Sequence, residues 1–494
     1  MSHNPVPPIS ADQSPQGKHP VLVVDLDETL CRTDTLHETL LRLLAQNPHK
    51  LVALGMGISA GKPAFKAAVA DQLVIAADSL VYNDDVIAMI KAARAQGQRV
   101  ALVSASDIRV VQAVADHLAL FDEVHGTKGA DDPNLSGQAK ADFLTDRFGP
   151  RGFDYIGDCA VDLPVWQQAR QAYAVRPNAA LTTKAQNAGV TLQPVPEKTP
   201  QKPAWRVYAK ALRPHQWSKN ILVFLPVLAG QDLSHIGLVI WAFILFSLTA
   251  SSVYLLNDLV DLSADRAHPR KSRRPFAAGA IPIATGAAMS AGLLVFAALM
   301  SLVVMPWLFS VALALYFAVT LAYSFILKRK MMVDVVTLAG LYTMRIVAGG
   351  AAAQIMPSPW FLAFSVFLFF GLAAIKRQAE LVDQIKRGKQ SSPGRAYMSD
   401  DVTVMQIMAI SSGQSAVLIF ALYLYSPDVA ALYRTPEVLW LICPLLLYWL
   451  SRIAVLTHRG HMHDDPIVFA AKDKISYAVA GSVLLILALS ELIG

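Results

Sequence analysis

Three aspartates, Asp258, Asp261 and Asp265, close a long apolar stretch and are followed at once by Arg266, Arg270, Lys271, Arg273 and Arg274. Hydrocarbon does not accept unpaired carboxylates, so an acidic run at a membrane edge needs a cation beside it. Spacings of three and four put the three carboxylates on one face of a helix. With Asn257 just before them and a basic cluster just after, the chemistry they suit is Mg²⁺ holding a di- or polyphosphate. A second acidic pair, Asp25 and Asp27, follows the apolar run Val21–Val24. Two carboxylates so placed can divide labour at phosphorus, one attacking and the other handling the proton.

The elements that must carry these groups differ between the two halves of the chain. The 494 residues are 54% hydrophobic, too apolar for an ordinary soluble protein and long enough for two or more domains. Residues 1–19, rich in Pro, Ser and Gln, read as a disordered tail. Val21–Val24 reads as a buried parallel strand, with further strands at 99–103 and 154–156 and a helical stretch over 35–77. Strands alternating with helices predict a doubly wound α/β sheet with its ligand at the strand C-termini. The prolines at 194, 196, 200 and 203 predict a stiff linker over 179–204.

From residue 205 onward the pattern is that of an all-α membrane bundle. Nine spans are expected, near 219–230, 236–256, 283–304, 306–326, 333–352, 359–375, 403–425, 435–451 and 475–493. Segments 202–219, 266–274, 328–330, 376–395 and 452–474 carry five, five, three, six and four Lys/Arg, while the alternate loops carry only Arg434. That asymmetry predicts the N-terminus and every polar motif on the cytoplasmic side, with the C-terminus outside. The net charge of +6 gathers in these loops, which favours membrane orientation and phosphate handling; no groove-reading motif suggests nucleic acid. Cys31, Cys159 and Cys443 are scattered, so neither a disulfide framework nor a zinc site is expected. The first 20 residues lack an apolar run and predict no signal peptide. Oligomeric state is not legible.

Within the first half, Asp25-Leu26-Asp27-Glu28-Thr29, then Ser104, then Lys140 in Gly137-Gln138-Ala139-Lys140, then Gly157-Asp158 with Asp162, occur in an order that resembles the haloacid dehalogenase-like (HAD) phosphohydrolases over residues 20–178. The resemblance implies a Rossmann-like domain with a small helical cap over about 34–80. It implies Asp25 as the nucleophile that becomes an aspartyl-phosphate and Asp27 as general acid/base. Ser104 would bind the phosphoryl group, Lys140 would balance its charge, and Asp158 with Asp162 would help Asp25 and Asp27 hold Mg²⁺. Thr29 and the second aspartate point to a phosphatase over a dehalogenase. Lys128 and Ser106 compete for the roles of Lys140 and Ser104; Lys140 is preferred because it opens a predicted helix. The family usually has Gly where this chain has Glu28.

The second half resembles the UbiA superfamily of intramembrane prenyltransferases over 205–494, through the Asp258–Asp265 motif, the span count and a polar stretch after the fourth span. That stretch, Tyr323 to Lys330 with Lys328, then Asp334, carries one acidic residue where aromatic prenyltransferases have a pair. Together with Arg213-Pro214-His215-Gln216-Trp217-Ser218-Lys219-Asn220 and Ile375-Lys376-Arg377-Gln378, it looks like the polyprenyl-phosphate phosphoribosyltransferase branch. The resemblance implies Mg²⁺ on Asp258, Asp261 and Asp265, and phosphoribosyl pyrophosphate (PRPP) as donor to a polyprenyl phosphate in a bacterial inner membrane. Lys219, Lys328, Arg273, Arg274, Lys376 and Arg377 would neutralise phosphates, with Asn220, Asn257 and Tyr323 also contacting substrate. A fused phosphatase would then remove the 5-phosphate from the transferred ribose. The competing readings are an aromatic prenyltransferase, which lacks its second Asp pair here, and a transporter, for which no inverted repeats are visible. Arg345 inside the fifth span points to a cavity. His458, His461, His463, Asp464 and Asp465 read as a solvated loop in preference to a metal site, and Gly349-Gly350 as close helix packing.

Overall fold

The computed structural model describes residues 20–47, 61–129, 132–196, 204–388, 396–462 and 465–492. The expected tail over 1–19 lies outside them, as do residues 197–203 of the expected linker. Contacts divide the chain into two units. One comprises Met1–Tyr208 with Asp258–Gly286, the other Ala209–Asn257 with Ala287–Gly494.

The first unit is built on a six-stranded parallel sheet. Its strands are β1 (Val21–Val24), β2 (Val100–Asp107), β3 (Glu123–Thr127), β4 (Phe153–Gly157), β5 (Ala172–Ala174) and β6 (Leu192–Pro194), in the order β3-β2-β1-β4-β5-β6. Val23, Val24, Leu102, Val103 and Ile156 are fully buried, as strands covered by helices on both faces require. β1 therefore lies between β2 and β4, so the C-terminal ends carrying Asp25, Ser104 and Asp158 are neighbours. Three of the six strands were not expected. β3 is polar, and β5 and β6 have three residues each, so none presents an apolar run to read. The expected linker over 179–204 is corrected in the same way. It begins with the helix Ala179–Asn187, which buries Leu181 and Ala185, and continues into β6 on β5. Pro194 is tolerated there because it ends an edge strand, where no ladder N–H is needed.

The helical stretch over 35–77 is two helices, Thr35–Gln46 and Lys62–Gln72. Asp34 caps the first, accepting from the His37 N–H at 2.9 Å, and Pro63 occupies the first turn of the second.

Among the described residues of the chain, eight helices are long and apolar enough to cross a membrane: Ile236–Val260, Ile283–Val304, Trp307–Phe325, Val333–Ala353, Pro359–Lys386, Ser399–Leu424, Pro436–His458 and Lys474–Glu491. The ninth, expected at 219–230, is instead a 3-10 segment, Pro214–Phe224, followed by the six-residue helix Leu225–Gly230. Arg213 in the left-handed region and Pro214 after it start that segment, and Pro226 begins the next. The Val223 backbone lies so close to Gly349 that a β-carbon there would run into the Val223 carbonyl. Gly349 is thus the small residue that lets this segment pack, as the sequence suggested.

A second correction concerns the aspartate triplet. The helix Ile236–Val260 stops at Asp261 (φ −87°, ψ 12°), and a short helix, Leu262–Arg266, follows. Asp258 lies in the last turn of one helix, Asp261 in the break and Asp265 in the next helix. The three do not share one uninterrupted face.

Candidate active sites

At the C-terminal end of β1 the chain turns sharply. Asp27 is extended and Glu28 takes a left-handed conformation (φ 56°, ψ 0°). The turn directs Asp25 at Lys140, whose ammonium donates to Asp25 Oδ1 at 2.8 Å and to the Tyr155 hydroxyl at 3.0 Å. Tyr155 in turn donates to Asp162 Oδ1 at 2.8 Å. The other Asp162 oxygen accepts from the backbone N–H groups of Asp158 (3.2 Å) and Cys159 (3.4 Å). Thr29 is fully buried and its hydroxyl reaches Asp158 at 3.4 Å. Of the competing residues, Lys140 is the lysine bonded to Asp25, while Lys128 is exposed. Both serines take part: Ser106 donates to Asp27 Oδ2 at 2.5 Å, and its N–H donates to the Ser104 hydroxyl at 3.1 Å. Asp27 also accepts from the Thr35 N–H at 2.7 Å, which ties it to the start of the cap.

The pocket holds more carboxylate than its direct partners neutralise. Burial pushes the Asp25 carboxyl up to about 6 even though Lys140 pulls it down. Burial, reinforced by Asp25, Asp162 and Glu28, pushes Asp158 up to about 8. One ligand atom each from Asp158, Cys159 and Asp162 lie within 4.8 Å of one another. Acidic groups held that far above their ordinary range fit a divalent cation, and a hard ion would choose the carboxylate oxygens over the Cys159 thiol. Lys66 of the second cap helix was not singled out from the sequence. Burial lowers its ammonium, the charges of Asp27, Asp34 and Asp25 act to raise it, and it donates to the Ala105 carbonyl at 2.8 Å. A lone lysine on a weakly amphipathic helix gives no signal by itself; the fold supplies the proximity.

The segment Asp258–Gly286 has its own network in the first unit. Arg274, expected to face a phosphate, bridges Asp258 (3.0 Å) and Asp265 (2.5 Å), and Lys271 stands 3.9 Å from Asp265. Asp258 and Asp265 are buried, Asp261 half-buried and Arg273 exposed. Arg266 makes a bidentate pair with Glu38 of the first cap helix, at 2.8 and 2.6 Å, and donates to the Ser79 carbonyl at 2.9 Å. Both side chains of that pair are buried.

In the second unit, Lys219 and Lys376 meet at one atom. Each ammonium lies 2.9 Å from Asp465 Oδ2, and the Tyr342 hydroxyl is 3.4 Å from the same oxygen. Asp465, read from sequence as part of a solvated loop, is largely buried; His463 and Asp464 lie outside the described residues. Burial acts to raise its carboxyl, but Lys376 and Lys219 outweigh it and hold it well below the usual carboxylate range. Asn220 accepts from Arg345 Nε at 2.8 Å and donates to Ser247 at 3.0 Å. Arg345 also donates to the Tyr316 hydroxyl at 2.9 Å and stacks on Tyr316 and Tyr342. Tyr323 lies close enough to Lys376 to interact with it electrostatically. Lys328 sits in the turn Leu327–Arg329, and Asn257 is the last residue of its stretch of the unit.

Arg377 was expected to neutralise a phosphate. It is fully buried, 2.6 Å from Asp334 and paired with Glu380, while Tyr397 donates to Asp334 at 2.5 Å. Adjacent helical residues point about 100° apart, so Lys376 and Arg377 cannot serve one ligand equally.

A carboxylate-rich pocket at the end of a parallel sheet and an all-helical unit with charged clusters at its span ends thus occur in one chain. The chain belongs to the UbiA prenyltransferase family, whose pattern matches residues 221–474, and carries a haloacid dehalogenase-like hydrolase domain over residues 22–167. It is 35% identical over 468 residues to the y4nM protein of Sinorhizobium fredii, covering 94% of this chain and 89% of that one. It is 36% identical to nodulation protein NoeC of Azorhizobium caulinodans, over 54% of this chain and 87% of that one. It is 34% identical to a decaprenyl-phosphate phosphoribosyltransferase of Mycolicibacterium smegmatis, over 54% and 86% respectively.

Proposed function

We propose that this protein transfers 5-phosphoribose from PRPP to a polyprenyl phosphate and then removes the 5-phosphate, yielding polyprenyl-phosphoryl ribose. The observation that carries the reading is its 34% identity across 86% of a decaprenyl-phosphate phosphoribosyltransferase, in a chain that also holds the Asp25–Lys140 pocket. In the transfer step the acceptor phosphate oxygen bonds the anomeric carbon as pyrophosphate leaves. Asp258, Asp261 and Asp265 would hold Mg²⁺ at the pyrophosphate once Arg274 shifts from Asp258 and Asp265. Lys219 and Lys376 would neutralise phosphate, and Asn220 and Arg345 would fix the pocket wall.

In the second step an Asp25 carboxylate oxygen bonds phosphorus and the ribose 5-oxygen leaves, taking a proton from Asp27. Water then bonds phosphorus and gives its proton to Asp27 as the Asp25 oxygen–phosphorus bond breaks, which frees phosphate and restores the Asp25 carboxylate. Lys140 holds Asp25 ionised and aimed. Mg²⁺ on Asp25 and Asp158 would offset the phosphoryl charge. Placed in a bacterial inner membrane with both sites cytoplasmic, the fusion raises the effective concentration of the intermediate at the phosphatase. The product is a lipid-linked pentose suited to cell-envelope glycan synthesis.

The test uses full-length protein in detergent with Mg²⁺, labelled PRPP and a polyprenyl phosphate, comparing wild type with Asp25→Asn. Label is expected in lipid with both, with the 5-phosphate retained only by the variant's product. Absence of label from lipid, with turnover of a prenyl diphosphate and an aromatic acid instead, rejects the assignment.

A further inference from the structure

We propose that Asp465 is a positioning residue that gathers Lys219 and Lys376 into a two-ammonium receptor for a phosphate group of the substrate. The inference rests on the phosphoryl-substrate reading above. The two lysines come from separate elements, the 3-10 segment Pro214–Phe224 and the span Pro359–Lys386, yet both donate to the same carboxylate oxygen at 2.9 Å. Two ammonium groups brought that close repel each other unless an anion stands between them. Asp465 is fixed for that task by its other oxygen, which accepts from the Ile467 N–H at 3.1 Å and caps the helix Pro466–Ala470.

Each ammonium carries three donors, and Asp465 engages one of each, so the pair can still present N–H groups to a second anion. Arg345 adds a third cation whose hydrogen-bond partners, Asn220, the Leu341 carbonyl and Tyr316, are all neutral. Against these three cations stand Asp465, bonded directly to two of them, and Glu380, whose charge acts on Lys376 from the same helix. Three cations against two carboxylates leave the cluster short of negative charge, which a phosphate supplies. Asp465 would repel that phosphate if it touched it. Its contribution is the geometry of the lysines.

The discriminating variant is Asp465→Asn, because Asn caps a helix as well as Asp but brings no charge. Asp465→Glu restores the charge and Asp465→Ala removes charge and cap together. Transfer kinetics would be measured with the soluble phosphorylated donor and the lipid phosphate varied in turn, and inorganic pyrophosphate binding followed by its shift of the melting temperature. Asp465→Asn is expected to melt below wild type, because two ammonium groups then stand together without their anion, to lose the pyrophosphate shift and to raise KM by about 10-fold or more, the loss of one charge-assisted contact, with a smaller change in kcat. Asp465→Glu should recover part of the loss. A rise for the lipid places its head group on the lysines; a rise for the donor places the donor there.

The proposal is overturned if Asp465→Asn behaves as wild type while Asp465→Ala is impaired, since Asp465 is then a helix cap alone. Tighter binding by Asp465→Asn also overturns it, because Asp465 would then be a competing anion. If wild type moves no phosphoribose, the functional reading falls. The pyrophosphate shift and its response to Asp465→Asn still decide for or against the receptor.

Discussion

In the first unit, four carboxylates, Asp25, Asp27, Asp158 and Asp162, are gathered near one directly bonded ammonium, Lys140. In the second, Lys219, Lys376 and Arg345 are gathered near one directly bonded carboxylate, Asp465. Both arrangements suit phosphate, by opposite routes. On the proposed reading the acid-rich pocket is built around a nucleophile and must recruit a cation before it can take an anion. The base-rich pocket carries its positive charge in its own side chains. A third cluster pairs Arg377 directly with two carboxylates, Asp334 and Glu380. The sign of the surplus decides what a pocket must recruit first, and the full burial of Arg377 sets that cluster apart from both.

The largest expected effects come from removing a cation that is needed where it stands. Arg377→Met strands a fully buried Asp334, and Lys140→Met strands Asp25 among other acids; each should cost about 3–5 kcal/mol of stability. Lys219→Met should cost no more than about 1 kcal/mol, because Lys376 still answers Asp465 and a like-charge repulsion disappears. Melting of the three variants in detergent checks the ranking. If Arg377→Met melts like wild type but raises KM, Arg377 is a substrate contact after all. If Lys219→Met is as destabilised as Lys140→Met, the two pockets are not opposites.

Acidity sharpens the contrast further. Asp25 and Asp158 hold protons up to about 6 and about 8, whereas an aspartate in an unfolded chain ionises near 4. The folded pocket therefore binds protons that the unfolded chain has released, and its contribution to stability is full below about pH 4 and is lost as pH rises through 6 and 8. Mg²⁺ takes the ionised carboxylates, so its stabilising effect should grow over the same window, with a chelator most damaging near pH 8. The difference in melting temperature between wild type and Asp158→Asn, with and without Mg²⁺ from pH 5 to 8, isolates this site. A Mg²⁺ effect that is flat with pH, or equal in the variant, would dismiss it.

The acid-rich pocket was largely legible in the sequence because its groups sit at the ends of apolar strands, where residue type and position coincide. Asp25, Lys140 and Asp158 could be assembled through the family resemblance that their order carries. The base-rich pocket was legible only in part. Lys219, Asn220 and Lys376 were picked out, but Asp465 was not, because an Asp-Pro pair after a histidine-rich stretch looks like any capped loop. Lys376 and Arg377 were picked out together, and the sequence does not separate them, because helix phase decides which of two adjacent basic residues faces a cavity. The missing strands and the ninth span fail on length and polarity. β3 is polar, β5 and β6 have only three residues each and so show no pattern, and the Pro214–Phe224 segment is held by Gly349, which is distant in sequence.

The smallest expected effect is at Glu28, which brings one more carboxylate to the pocket that already has a surplus. It is a non-glycine residue at φ 56°, a conformation that costs an L side chain on the order of 1 kcal/mol. Its charge is among those that push Asp158 up, and its own carboxyl is raised, by burial first and then by Asp34. Glu28→Gly should relieve the backbone, offset in part by the greater freedom of glycine in the unfolded chain, for a net gain of no more than about 1 kcal/mol. It should also lower the acidity threshold of Asp158, strengthen Mg²⁺ binding near pH 7 and reduce KM for a phosphomonoester. Melting temperature and Mg²⁺ titration of the variant read these together. A variant that is more stable yet binds substrate more weakly would mean that the carboxylate recognises the substrate, most simply through sugar hydroxyls. Glu28 would then be the feature that fits this pocket to a sugar phosphate, held in a strained turn for that reason.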